Sequence, residues 1–268
     1  MFWMSKNLLT SVTGKLSGPA AILVLGLIAP AETLADEADA RSILKSMSDY
    51  VASQDAISFG FDANLEVVTK DGQRLALASS GTVSLNRPEN FHTARAGGFA
   101  DIETFFDGKT LTLLGKTANV YVQVDAPGSV DDLVEMMETK LDRSPPAAHL
   151  ILSNSYDQLM QGVTNVKDLG SGVIGGVECD FLAFRADEVD WQIWIAHGDK
   201  PYPCRYVVTS KKIAGAPQYS IQINNWATGS DVITEEFTFE NTTDATQIDV
   251  ADLRSKMSEL PGHFKTGE

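Results

Sequence analysis

The chain is short of cysteine, histidine and positive charge. Its 268 residues hold two cysteines, four histidines and 21 Lys and Arg against 36 Asp and Glu, for a formal net charge of -15. That balance excludes a nucleic-acid binder, because a phosphate backbone is met by a basic face. It also disfavours charge-driven docking on anionic headgroups. His92, His149, His197 and His263 are scattered without metal-ligand spacing, so neither a metal nor a cofactor is expected. No G-x-S-x-G occurs, and Ser79, Ser80 and Gly81 fall inside an alternating strand rather than at a nucleophile elbow. After the N-terminal region, no run approaches the ~20 apolar residues of a transmembrane helix.

With 43% hydrophobic and 21% charged residues, the composition is that of a globular chain with ample core. The first 35 residues read as a signal peptide. Lys6 and Lys15 precede an apolar run of about ten residues from Ala20 to Ala29. Pro30 then breaks the helix, and Thr33, Leu34 and Ala35 form a small-x-Ala cleavage site. The mature protein is expected to start near Asp36, in a periplasm and without a stable membrane span.

Residues 36–248 read as one domain. The stretch DARSILKSMSDYVASQ carries Ile43, Leu44, Met47, Tyr50 and Val51 at helical spacing, with Asp39 as candidate N-cap. The period then switches to two. FGFDANLEVVT and RLALASSGTVSLNRP flank an Asp71-Gly72 turn as a hairpin, and three or four short strands follow. Residues 129–162 differ: SVDDLVEMMETKLD and AHLILSNSYDQLMQG read as helical, with Ser129 as N-cap. Strands resume after Gly162, joined by turns around Gly170, Asp187, Gly198 and Gly215, and EEFTFENTT suggests one more. The tail, 249–268, is polar, with a short helical pattern before Pro261 and Gly262, and is expected to fray. The implied fold class is α+β, mainly β: a large antiparallel sheet with helices on one face.

Candidate chemistry is sparse. Residues 170–175, GSGVIG, match G-x-G-x-x-G, but a dinucleotide fingerprint needs a helix starting inside it, and VECDFLAF alternates like a strand. The acids Asp187, Glu188 and Asp190, and Asp131 with Asp132, sit where turns and helix N-termini favour acids anyway. His197 beside Asp199 reads as a solvated turn histidine. An exported hydrolase is therefore the weakest of the functional readings.

Three segments carry a resemblance: GTVSLNRPENFHTA (81–94), FFDGKTLTLL (105–114) and VDWQIWIAHGDKPYPCRYVVTSKKIAGAPQYSIQINNW (189–226). With the leader and first helix, they resemble a family of predicted periplasmic proteins similar in fold to the lipoprotein carrier LolA. The resemblance implies a curved, incomplete β-barrel whose helical lid, about 129–162, closes a hydrophobic cavity. It implies a non-enzymatic role in binding lipid or acyl chains, with a lipid, a lipoprotein or another envelope protein as partner. The alternative on the same fold is an envelope sensor or regulatory interaction protein.

Candidate cavity residues on the strands are Phe59, Phe61, Leu65, Leu77, Leu85, Phe106, Leu113, Phe184, Trp191 and Ile193. Those on the lid are Leu133, Met136 and Met137. The resemblance also implies an arginine in the cavity, for which Arg87, Arg95 and Arg205 are candidates. Strand parity stays open, since a one-residue slip inverts the faces.

In WQIWIAHGDKPYPCRY (191–206), Trp191, Ile193 and Ile195 share one strand face, and Trp194 lies on the other. A simple meander would put Cys179 and Cys204 two strands apart, nearly 10 Å, too far for a disulfide. Both nevertheless fall near one end of the Trp strand. Pro201 and Pro203 allow Cys204 to swing over that end, so a Cys179–Cys204 disulfide is expected.

Overall fold

A computed structural model of the chain describes residues 32–98, 101–140, 147–232 and 236–257. The apolar core of the expected leader lies outside these residues. The first helix, α1 (Glu32–Ala52), starts earlier than the sequence suggests, so Asp39 lies within it rather than capping it. Ala40, Leu44, Met47 and Val51, spaced four, three and four, are fully buried along one stripe.

The strands form a single sheet, twelve-stranded among the described residues. Its elements are β1 (Ala56–Val68), β2 (Arg74–Asn86), β3 (Asn90–Gly97), β4 (Asp101–Asp107), β5 (Thr110–Gly115), β6 (Val120–Asp125), β7 (Val163–Ile174), β8 (Val177–Ala186), β9 (Val189–Ala196), β10 (Pro203–Ser210), β11 (Gln218–Thr228) and β12 (Thr246–Gln247). Their order is β12-β6-β5-β4-β3-β2-β1-β11-β10-β9-β8-β7. Two antiparallel meanders therefore meet where β1 pairs with β11, and the sheet curves without closing. Between the meanders run α2 (Val130–Lys140), a 3-10 turn (Ala148–Ile151) and α3 (Ser155–Leu159). The fold is mainly β with helices gathered on one face, here called the inner face.

Parity is settled by the register. Trp191, Ile193 and Ile195 face inward and are buried, as are their cross-strand partners Phe184 and Leu182. Trp194 faces outward, where it stacks on Phe181 at 4.2 Å and lies under the Arg205 guanidinium at 5.6 Å. The α1 helix lies over the β7–β9 end of the inner face.

Three sequence expectations change. Gly170 is not a turn between strands. It takes φ 83° at a bulge inside β7, and the turn falls at Gly175 and Gly176. GSGVIG is thus a hairpin arm with no helix at its end, which removes the nucleotide reading. Residues 236–240 are not a strand either. Their alternating pattern instead lays Phe239 on the outer face, 5.5 Å from Phe105 and 4.9 Å from Tyr121. There they neighbour a polar group in which Glu103 meets buried His92 at 3.0 Å and Lys116 at 2.6 Å.

Finally, the tail docks as far as it is described. After β12, which pairs in parallel with β6, α4 (Leu253–Lys256) buries Leu253, and Met257 follows it into the core. Gly115 leaves the notch: a Cβ there would come within 3.0 Å of the Met257 side chain.

Candidate functional site: a cavity under the helical lid

The inner face is built in rows set by strand register. The deepest row runs Ile57, Leu85, Phe91, Phe106, Leu111 across β1 to β5. All but Phe91 are fully buried, so this row is a solid floor. Above it come Phe59, Val83, Thr93, Thr104 and Leu113, then Phe61, Gly81, Arg95 and Ile102. Ala63, Ser79 and Gly97 form the next row, and Leu65 with Leu77 the rim. Gly81 has a steric role. A Cβ there would lie 2.6 Å from the Phe61 ring and 2.2 Å from the Ala94 carbonyl oxygen. The Phe61 ring can lie across β2 only because position 81 has no side chain.

These upper rows do not meet a filling partner. Tyr219, Ile221 and Ile223 of β11 extend the wall. The roof is Val130, Leu133, Val134 and Met137 of α2, with Leu150 and Ile151 of the 3-10 turn. Between wall and roof lies a cavity of about 450 Å³, within the range of sites for small apolar ligands.

The roof is held by polar contacts at its base. Ser129 and Asp132 form a capping box at the start of α2. Ser129 Oγ accepts from the Asp132 amide at 3.2 Å, and the Asp132 carboxylate accepts from the Ser129 amide at 2.8 Å and hydroxyl at 2.7 Å. Those hydrogen bonds from Ser129 hold the Asp132 carboxyl below its ordinary range. Arg87 donates to the Ile151 carbonyl at 2.5 Å and lies 3.8 Å from Asp131. Burial pushes the Arg87 guanidinium down from its ordinary value, opposed by Asp131. Asp131 in turn accepts from the Ser153 amide and hydroxyl. The Tyr156 amide donates to Ser48 Oγ at 2.9 Å, tying α3 to α1. Arg87 is thus a lid anchor rather than a cavity cation.

The structure sorts the sequence candidates into three groups. Phe59, Phe61, Leu65, Leu77, Leu113, Leu133 and Met137 line the cavity. Leu85 and Phe106 lie one row deeper, in the floor, and Met136 projects from α2 beside the lining stripe. Phe184, Trp191 and Ile193 share the inner face but belong to the β8–β9 end, where α1 supplies the cover and they are core. Of the arginines, Arg95 lines the cavity while Arg205 lies on the outer face. Residues not expected from the sequence include Ile102, Val130, Val134 and Leu150; the alternation of β4 and the α2 stripe were the signals for the first three.

The acids have structural work. Asp190 pairs with Arg185 at 2.8 Å and Lys211 at 3.4 Å, and His197 is an exposed ring 3.2 Å from Asp180. Among the described residues, no group of three His, Cys, Asp or Glu could hold a metal, and no helix is long and apolar enough to cross a membrane.

Cys179 and Cys204 converge without a bond in this structure. Cys179 pairs across to Ala196, and Cys204 is the extra residue of a bulge between Pro203 and Arg205. The bulge, the small Ala196 side chain and the two sulphurs form one buried cluster on the outer face. Burial, then the neighbouring Cys179, pushes the Cys204 thiol up to about 12, and burial also raises Cys179.

The sequence model of one family, described as "Predicted periplasmic protein (DUF2092)", matches residues 40–251. The chain belongs to this family. Its periplasmic setting agrees with the leader read from the N-terminus. No curated protein matches the chain. Among solved structures, it is similar to an uncharacterised conserved protein from Thermus thermophilus, at 12% identity and a TM-score of 0.44, over 79% of this chain and 99% of that one. LprF from Mycobacterium bovis is similar at 13% identity and a TM-score of 0.44, over 75% and 97%. A chain of the Pseudomonas aeruginosa MucA/MucB complex is similar at 13% and 0.43, over 75% and 61%.

In this DUF2092 chain, loss of a lid anchor is expected to loosen the lid before the sheet core. Arg87→Ala removes charged hydrogen bonding worth about 2 kcal/mol, so the melting temperature should fall by roughly 4–8 °C. Amide exchange should quicken across 147–160 while β9 stays protected; uniform loss of protection would show that the lid is not an independent unit.

Proposed function

We propose that this chain is a non-enzymatic periplasmic protein that binds a lipid or acyl chain beneath its lid. The supporting observation is the apolar cavity of about 450 Å³ between the upper rows of β1–β5, β11 and α2. Each methylene removed from water contributes about 0.8 kcal/mol, so one chain seated there binds usefully. Methionine on the roof suits a variable apolar guest. The carboxylate pairs that a hydrolase would need are engaged in capping, lid anchoring and cross-strand pairing. Free lipid or the acyl group of a lipoprotein is the proposed partner.

Cleavage near Ala35 would remove only the first residues of α1 and leave its buried stripe of Ala40, Leu44, Met47 and Val51 whole. Gently purified mature protein should carry an extractable amphiphile by native mass spectrometry and, once stripped, take up a fluorescent fatty acid. Ligand-free protein that also takes up no fatty acid would refute the reading.

The same compartment bears on the cysteines. We infer that Cys179 and Cys204 are oxidised to a disulfide as the chain folds, by exchange with a donor protein disulfide. Each thiol loses a proton, a sulphur–sulphur bond forms, and the two electrons reduce the donor to two thiols. The bridge would stabilise the β8–β10 corner by roughly 3 kcal/mol. Once the corner is buried, protonated thiols exchange slowly. Unfolded periplasmic protein should therefore take no alkylating label without reductant and two after it. Two labels without reductant would rule the bridge out.

A further inference from the structure

The cavity has a closed end and an open one. At the closed end Ile57, Leu85, Phe106 and Leu111 are fully buried. The α2 roof starts there, its Val130 amide donating to the Pro88 carbonyl at 2.8 Å. At the other end Leu65 and Leu77 are half-buried, and Ala78 and Gly98, which also line the cavity, are exposed. The space is therefore blind at the floor and open at the rim. Its depth follows from the register. From Phe59, in the row above the floor, β1 runs to Leu65 at the rim, roughly 20 Å at ~3.3 Å per residue. An extended acyl chain advances about 1.3 Å per carbon, the projection of a bond of about 1.5 Å, so roughly sixteen carbons reach from floor to rim.

We propose that the cavity measures acyl-chain length: the methyl end seats on the floor, the chain lies along β1 and β2, and the head stays in water at the rim. This rests on the acyl-binding reading above and adds insertion polarity and chain length to it. The floor is hydrocarbon, so a polar head driven down to it would lose its water without replacement. In the row above, the Thr93 hydroxyl is engaged, donating to the Thr82 carbonyl at 2.8 Å, which leaves only Thr104 to meet a head. Arg95, nearer the rim, already engages the protein.

The stop that fixes the length is Thr104 with Leu113, cross-strand partners one row above the Phe106–Leu111 pair. Both line the cavity, so bulk added at either shortens it from the closed end. The mouth is left as it is.

The test is competition by saturated fatty acids, from octanoate to eicosanoate, against a bound fluorescent fatty acid. It uses the mature chain and its Thr104→Leu and Thr104→Phe variants. Wild-type affinity should rise about fourfold per methylene up to palmitate. It should then level off, because further carbons stay in water. Thr104→Phe should move that break toward myristate, and Thr104→Leu should move it less. Both should leave decanoate affinity nearly unchanged, which also certifies the fold. A palmitoyl chain amide-linked to a tripeptide should bind wild type as tightly as palmitate, since the head lies outside. Loss of binding by that palmitoyl peptide would overturn the insertion polarity. Affinity that climbs without a break to eicosanoate would overturn the length measurement. So would a break that stays in place in variants that keep their decanoate affinity. Each of these results leaves acyl binding standing. Failure of every fatty acid to bind would instead refute the underlying reading.

Discussion

One helix cannot cover the inner face of so wide a sheet. The α1 helix spans the β7–β9 end and buries its stripe there. The far half, β1 to β5 with β11, presents a largely apolar face and must be covered by something else. The chain covers it with the segment between the two meanders, whose α2 roof stands over the upper rows and leaves about 450 Å³ unfilled. Interiors pack to crystal-like density with few voids larger than a water. The partly open recess under the roof departs from that packing, and the rest of the structure is arranged around it.

Three arrangements follow from that division. The floor row, with Ile57, Leu85, Phe106 and Leu111 fully buried, supplies stability at the closed end, so the upper rows can remain unfilled without unravelling the sheet. Polar anchors add to the apolar packing that fastens the roof: the Ser129–Asp132 capping box, the Arg87 contacts to Asp131 and Ile151, and Ser48 beneath α3. The C-terminal segment closes the other edge, pairing β12 with β6 and burying Leu253 and Met257. Among the described residues the face is thus covered in three places, and the lid leaves space beneath it.

Much of this was legible in the chain. The switch from helical period to alternation marked α1 and the first hairpin, and Ser129 followed by acids marked the start of α2. Period two separated Trp191, Ile193 and Ile195 from Trp194, but which set faces inward depends on long-range pairing of β1 with β11. For the same reason the cavity list mixed wall with core. Phe184 and Trp191 look like Phe59 and Phe61 in sequence; only the position of α1, a tertiary fact, makes the former core and the latter wall. The tail misled through its polarity, although Leu253 and Met257, four apart, were the signal for a buried helical face. Residues 236–240 alternate because one face of an extended segment lies on Phe105 and Tyr121, not because a strand partner exists.

The central claim is that the space under the lid is a binding site and not a packing fault. Ala63 faces it, opposite Ser79 and Ile221, so Ala63→Phe fills it from the wall without touching an anchor. The decisive measurement is fatty-acid affinity of this variant beside its melting temperature. The account predicts a fold at least as stable as the parent, since a void is filled, with affinity reduced by roughly a hundredfold, as several methylenes lose their place. Undiminished affinity in a well-folded Ala63→Phe protein would contradict it.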